Sequence, residues 1–96
     1  MRVYQAVTDR LDDFNSLFRD WLLPVQERHG ARLVGRWATD DGRVVAIWEY
    51  DSREHYERVE AAVRSDPDSR TATDRRTALG TLFTAMDETF MHSTLR

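Results

Sequence analysis

Cysteine and lysine are both absent from this sequence of 96 residues. Without cysteine the chain can form no disulfide bond, thiolate nucleophile or thiolate metal site. All 14 basic residues are arginine, which excludes Schiff-base chemistry and a Walker-type phosphate loop, because both need a lysine ammonium group. No apolar run approaches the roughly 20 residues of a membrane span, and no leader with a basic and then an apolar segment is visible. We therefore predict a cytoplasmic protein with no membrane partner.

Charge and length narrow the class of protein further. The formal net charge is -3 and the pI is about 5.5, with acidic and basic residues interspersed. A nucleic-acid partner, which needs clustered Lys and Arg, is therefore not expected. Since no Gly-rich phosphate loop or G-x-S-x-G elbow occurs, the sequence predicts no cofactor and no serine hydrolase. A chain of this length makes one domain, residues 1–96, and buries only about 60 to 65% of its unfolded surface, so self-association would stabilise it.

The segment 31–50, ARLVGRWATDDGRVVAIWEY, predicts a β-hairpin that is largely apolar on both faces. Asp41-Gly42 is typical of a two-residue turn. Closing the hairpin there pairs, on one face, Thr39 with Val44, Trp37 with Ala46, Gly35 with Trp48 and Leu33 with Tyr50. The other face carries Ala38 with Val45, Arg36 with Ile47 and Val34 with Glu49. Because a sheet with one wet side should alternate apolar and polar residues, we expect helices on one face and the sheet of a second subunit on the other.

The remaining segments complete an order of strand, helix, strand, strand, helix and strand. Before the hairpin we predict a strand from Arg2 to Thr8 and a helix from Asp9 or Asp12 to Gly30, which kinks or restarts at Pro24. After the hairpin we predict a helix from the N-cap Asp51 to about Arg64 and a strand from Asp87 to Leu95. Between these two, a further helix opens at Asp66-Pro67, and its apolar stripe consists of Ala72, Leu79, Leu82, Phe83 and Met86. This order predicts an α+β, ferredoxin-like βαββαβ sandwich with a four-stranded antiparallel sheet. Its free sheet face would meet a second copy in a twofold dimer.

Several residues in the segment 24–67 occur at a distinctive spacing. They are Pro24, His29-Gly30, Gly35, Trp48, Tyr50, Ser52 and Asp66-Pro67. On these residues the chain resembles the NIPSNAP family of the dimeric α/β-barrel superfamily. The resemblance implies a homodimer of ferredoxin-like protomers that form a dimeric α/β barrel. It implies no particular reaction, because related small barrels range from cofactor-free oxygenases and isomerases to proteins with no known ligand.

Four aromatic residues form the candidate ligand pocket. Trp37, Trp48 and Tyr50 fall on one face of the predicted hairpin, and Trp21 lies on the helix that we expect to cover it. These side chains could line a flat pocket for a small apolar or aromatic ligand. The alternative is a filled core, which Gly35 opposite Trp48 would suit because the indole could lie across the glycine.

Histidine and charged residues supply the other candidates. His29, His55 and His92 lack the spacing of metal ligands, so we predict no metal site. His92, on the predicted last strand, is the candidate for catalytic proton transfer. Arg36 and Glu49 share the second hairpin face, where we predict an ion pair at the dimer interface. Alternatively, Arg36 would hold a carboxylate or an enolate and Glu49 would act as a base.

Three functions follow from these candidates. The first is a homodimeric binding or scaffold domain, which the absence of a convergent acid and base favours. The first alternative is a cofactor-independent monooxygenase or isomerase acting on an aromatic or polyketide-like substrate, which the tryptophans and His92 motivate. The second alternative is binding of haem or a haem product through His29 or His92.

Overall fold

Four strands form one antiparallel sheet in the computed structural model, which describes residues 1–95. The strands are β1 (Arg2–Ala6), β2 (Arg32–Ala38), β3 (Arg43–Glu49) and β4 (Phe83–Glu88). Their order across the sheet is β2-β3-β1-β4. With helices connecting β1 to β2 and β3 to β4, this is the ferredoxin-like α+β arrangement. The predicted fold class is confirmed.

The first helical stretch changes its winding along its length. It consists of α1 (Leu11–Leu17), a π-helical turn (Phe18–Leu22) and α2 (Leu23–Arg28). In the π turn, the N–H of Leu23 bonds to the carbonyl of Phe18 instead of to the carbonyl four residues back. Pro24 lies in the first turn of α2, where its missing N–H removes no helical hydrogen bond. The predicted restart at this proline is confirmed, whereas the π turn was not expected.

Two further helices follow the hairpin. They are α3 (Arg53–Ser65) and α4 (Pro67–Leu79). The hydroxyl of Ser52 caps α3 by accepting from the His55 N–H at 3.0 Å, so the predicted N-cap Asp51 is wrong by one residue. Asp66 caps α4, as predicted, by accepting from the Asp68 N–H at 2.9 Å. Within residues 1–95, no helix has both the length and the hydropathy that a membrane span requires.

The last strand lies earlier in the chain than the sequence predicted. Gly80 adopts a φ of 82° and ends α4, so Leu82 and Met86 lie beyond the helix and not on its apolar stripe. β4 consequently spans Phe83–Glu88, and the predicted strand over 87–95 is wrong. The apolar spacing in this segment also fits a helix, but pairing with β1 along most of β4 decides in favour of a strand.

The hairpin has a different register from the predicted one. Residues 40–42 form its loop, in which Gly42 has a φ of 86°, and the Thr39 N–H bonds the Arg43 carbonyl at 2.8 Å. The pairs are Ala38 with Val44, Trp37 with Val45, Arg36 with Ala46, Gly35 with Ile47 and, after a bulge, Leu33 with Trp48. A shift of one residue turns side chains to the other face of a sheet. Trp37 and Trp48 therefore lie on opposite faces, and the predicted pairing is wrong.

The hydrophobic core lies between the helices and one face of the sheet. Its buried cluster consists of Phe14, Leu17, Val44 and Leu82. Because side chains alternate along a strand, the neighbours of Val44 on β3 point to the opposite face. That surface, hereafter the open sheet face, carries Val3, Trp37, Val45 and Ile47. Trp37 is 51% exposed.

Candidate ligand-binding site

A cleft of about 700 Å³ lies at one end of the sheet. β1 pairs with β3 only from Arg2 and Ala46 onward, so β3 continues to Glu49 without a β1 neighbour. On the other side, the chain runs on from β4 past the start of β1, where the Thr89 N–H bonds the Met1 carbonyl at 2.8 Å. The cleft is the space between the end of β3 and this C-terminal segment, residues 89–93, and the first turn of α3 also lines it.

Arg2 is the centre of an ion-pair network on the wall of the cleft. Its Nε donates to a carboxylate oxygen of Glu88 at 2.9 Å, and its Nη2 donates to Glu60 at 3.1 Å. The Tyr56 hydroxyl donates to the other Glu88 oxygen at 2.6 Å. The Arg2 and Glu60 side chains are each only 18% exposed. Residues from β1, α3 and β4 thus form one connected polar group that is largely withdrawn from water.

Aromatic rings form the apolar part of the cleft. The Tyr56 ring lies edge-on between those of Tyr50 and Phe90, with centroid distances of 5.1 Å and 4.9 Å. The Arg53 guanidinium carbon lies 3.6 Å from the centroid of the Phe90 ring. Trp48 also lines this space. Edge-to-face contacts of this kind hold rings in defined orientations, so the cleft has a shaped aromatic wall next to the Arg2 network.

Burial and neighbouring charges shift the pKa values of Tyr50, Tyr56 and Glu88. Burial, reinforced by the Glu60 carboxylate, raises the pKa of Tyr50 to about 12. Burial and the hydrogen bond to Glu88 raise the pKa of Tyr56. Burial alone would raise the pKa of Glu88, but the Tyr56 hydroxyl and the Arg2 guanidinium outweigh it, and that pKa is lowered. Near neutral pH the phenols are protonated and Glu88 is ionised, which suits hydrogen bonding to a ligand better than proton transfer.

The four aromatic residues predicted to share a pocket are not brought together. Trp48 and Tyr50 line the cleft. Trp21 instead contacts α4, where the Arg75 guanidinium carbon lies 3.9 Å from the centroid of the Trp21 ring. Trp37 lies on the open sheet face, because of the hairpin register. A ligand-binding role for Trp48 and Tyr50 stays a prediction. The prediction that all four aromatic residues line one pocket is wrong, because only Trp48 and Tyr50 line the cleft.

Arg36 and Glu49 are also separated by the register. Arg36 points to the helices, and its guanidinium carbon lies 4.7 Å from the centroid of the Phe14 ring. Glu49 points to the other face, is 52% exposed and pairs with Arg32 at 3.1 Å. The prediction that Arg36 and Glu49 share one face is therefore wrong, since the two side chains point to opposite sides of β2 and β3.

The histidines have three different environments. His29 Nε2 lies 2.7 Å from the Asp66 carboxylate, and His55 Nδ1 accepts from the Asp51 N–H at 2.9 Å, so both stabilise helix ends. His92 lines the cleft from the C-terminal segment, and its role in proton transfer stays a prediction. Across residues 1–95, no three His, Asp or Glu side chains gather in a group that could hold a metal ion.

Sequence reasoning missed the Arg2 ion-pair network beside the cleft. Arg2, Tyr56, Glu60 and Glu88 come from three distant segments, and no local motif links them. One signal was present. Arg2 has the same strand parity as Tyr4, which packs against the core, and a charged residue on a core-facing position is normally paired. That parity indicates a buried ion pair, although it does not name the partners.

Comparisons with known proteins agree with the fold. The NIPSNAP family model matches residues 1–95. An uncharacterized NIPSNAP domain protein from Burkholderia xenovorans is 24% identical with a TM-score of 0.84, over 97% of this chain and 90% of that chain. A NIPSNAP family protein from Agrobacterium tumefaciens is 20% identical with a TM-score of 0.77, over 99% of this chain and 94% of that chain. A search of curated proteins finds no match.

Proposed function

The chain belongs to the NIPSNAP family, and from this premise we propose that it is a homodimeric domain that binds a small aromatic or apolar ligand in the cleft at the end of the sheet. The observation that carries the proposal is the juxtaposition of aromatic rings with the Arg2, Glu88 and Tyr56 network around a space of about 700 Å³. Sites for small molecules typically combine apolar walls with a few placed polar groups.

The network also favours a neutral ligand. Arg2 already bonds two carboxylates, so it has little positive charge to offer to an anion. The protonated phenols and the Glu88 carboxylate can instead exchange hydrogen bonds with a hydroxyl or amide group on the ligand. A ring with one hydroxyl group would place its apolar body against Tyr56 and Phe90 and its polar group against the network.

The ligand proposal can be tested with 2-naphthol as a neutral aromatic probe. Isothermal titration should show saturable binding to the wild-type protein, and Phe90→Ala should weaken it about fivefold, since the contacts of one aromatic ring contribute roughly 1 kcal/mol. Phe83→Ala is unsuitable as a control because Phe83 packs on the core. Tyr4→Phe is the control, because Tyr4 does not line the cleft and the change keeps its ring in the core.

Two results would contradict the ligand proposal. One is a wild-type protein that does not bind 2-naphthol, and the other is equal binding by wild type and Phe90→Ala. Oxygen consumption with the same phenol, lost in His92→Ala, would instead favour the monooxygenase alternative.

The open sheet face supports the homodimer. Val3, Val45 and Ile47 form an apolar centre beside the half-exposed Trp37. Residues of both charges, among them Arg43 and Asp87, surround this centre on the same face. A surface that carries both signs of charge around an apolar patch can be complementary to its own copy, as a twofold interface requires. We therefore assign a second copy of this chain as the partner.

Sedimentation velocity tests the dimer directly. The wild-type protein should sediment as a dimer at micromolar concentration, and Ile47→Arg should sediment as a monomer because it places a charge in the apolar centre. Thr73→Arg on the exposed surface of α4 introduces the same charge as a control and should remain dimeric. A monomeric wild-type protein would refute the proposed assembly.

A further inference from the structure

A second, smaller cavity lies on the helix side of β2. Its volume is about 360 Å³, and it opens between the first helical stretch and the hairpin. The residues that matter for its chemistry are Asn15, Phe18, Leu23 and Arg36. It is separate from the cleft at the end of the sheet, because the two share no lining residue.

Arg36 has an unusual environment in this cavity. Its guanidinium carbon lies 4.7 Å from the Phe14 ring centroid and 4.5 Å from the Phe18 ring centroid. Its Nη1 donates to the side-chain oxygen of Asn15. Its Nε and Nη2 are buried and have no hydrogen-bond partner. Burial lowers the pKa of Arg36, the opposite of what a carboxylate partner would cause.

Other arginines of the chain show what Arg36 lacks. Arg2, Arg28 and Arg32 each bond to two carboxylates. No carboxylate of residues 1–95 bonds to Arg36. A buried guanidinium without an anion is costly, because buried donors and charges need partners. The two unpartnered nitrogens lie on one edge of the guanidinium, and this edge matches the two oxygens of a carboxylate.

The helix beside this cavity supplies an independent indication of function. Phe18 and Arg19, which line the cavity, belong to the π-helical turn. Single π turns are uncommon and occur frequently at functional sites. Arg19 bonds to the Asp20 carboxylate at 2.9 Å on the protein surface, so it does not compete for the position next to Arg36.

We propose that Arg36 anchors a binding site for a small monocarboxylate with an apolar chain. The carboxylate would accept from Nε and Nη2, and the apolar chain would lie against Phe18 and Leu23. A carboxylate fits better than a phosphate, since a single guanidinium and apolar walls do not neutralise a dianion. Because the two nitrogens are shielded from water, the ligand must displace the side chains above them when it binds.

Hexanoate, with hexanol and hexylammonium as neutral and cationic analogues, is a suitable set of probes for calorimetry. Hexanoate should bind to the wild-type protein at least tenfold more tightly than either analogue. Arg36→Gln should remove this preference, and Arg36→Lys should weaken it, because lysine keeps the charge but cannot present two parallel donors. Arg64→Gln, which changes an exposed arginine of α3 outside both cavities, is the matched control and should bind like wild type.

A second measurement keeps the test informative if Arg36→Gln does not fold. The Arg36 Nε–H resonance of the wild-type protein should shift on addition of hexanoate and not on addition of hexanol. Phe90→Ala, which alters the other cleft, should leave hexanoate binding unchanged, so this site can fail or succeed independently of the proposed function. Equal affinity for hexanoate and hexanol, an unshifted resonance, or full binding by Arg36→Lys would overturn the proposal.

Discussion

Replacing Arg2 with methionine tests whether the cleft network stabilises the fold. Arg2 pairs with Glu88 at 2.9 Å and with Glu60 at 3.1 Å, and none of the three side chains is more than 25% exposed. Removing one partner of a fully buried pair costs roughly 3 to 5 kcal/mol. Because these side chains keep some contact with water, we expect about 3 kcal/mol for Arg2→Met. At an unfolding entropy of about 0.2 kcal/mol/K for a chain of this length, the thermal midpoint should fall by about 15 °C.

Thermal denaturation followed by circular dichroism measures this loss, with all variants at one protein concentration because the midpoint of the proposed dimer would depend on concentration. Arg19→Met is the matched control. Arg19 also forms an ion pair at 2.9 Å, with Asp20, but the two side chains are 69% and 53% exposed. Since exposed pairs contribute little, the control should unfold with the wild-type midpoint.

The same pair of variants predicts a pH dependence. The pKa of Glu88 is lowered in the folded protein, so its stabilising contribution is present above the ordinary value of 4.5 and is lost as the pH falls through the folded value. The difference in midpoint between wild type and Arg2→Met should therefore shrink below about pH 4.5. An Arg2→Met midpoint as high as that of Arg19→Met, or a difference that persists in acid, would refute the reasoning.

Three further predictions concern single side chains. Ultraviolet absorbance should show a tyrosine with a pKa of about 12, and this titration should be absent in Tyr50→Phe. The wild-type protein should also lose stability relative to Tyr50→Phe as the pH rises above 10, because the unfolded chain then releases the phenolic proton before the folded protein does. Val44→Ala, at a position only 1% exposed, should lower the free energy of unfolding in urea by about 2 kcal/mol. Gly80→Ala, at φ 82° and ψ -157°, should lower the free energy of unfolding by about 1 to 3 kcal/mol in the same assay, because few residues other than glycine adopt this conformation. A urea midpoint equal to that of the wild-type protein would contradict the environment assigned to Val44 or to Gly80.

The order of the elements could be predicted from the sequence because local signals mark it. Asp66-Pro67 separates two helices, since the residue before proline is forced out of the helical region, and α3 and α4 meet at this pair. The register of the hairpin could not be predicted from the sequence. Asp41-Gly42 suits a two-residue turn, but the Thr39 hydroxyl accepts from the Arg43 N–H at 3.0 Å and closes a longer loop. With apolar residues on both faces, the alternation of residue types did not distinguish the two registers.

The candidate site was less accessible to sequence reasoning than the fold. The aromatic residues Trp48 and Tyr50 were recognised from their positions on one strand, and both line the cleft. The polar network was missed because Arg2, Tyr56 and Glu88 meet only after β1 and β4 pair and α3 packs against them. Such contacts depend on the relative placement of whole elements, which local patterns do not specify.

The π turn has a consequence for the phase of the first helical stretch. Leu17 and Val25, on either side of it, are each only 3% exposed. In an uninterrupted α-helix, residues eight apart differ by about 80° in direction, whereas a turn that absorbs one extra residue reduces this difference to about 20°. Deletion of one residue between positions 18 and 22, combined with Pro24→Ala so that a regular α-helix can form, should therefore leave both side chains facing inward. The same deletion in the middle of α3 would rotate half of that helix by about 100° and expose its inner side.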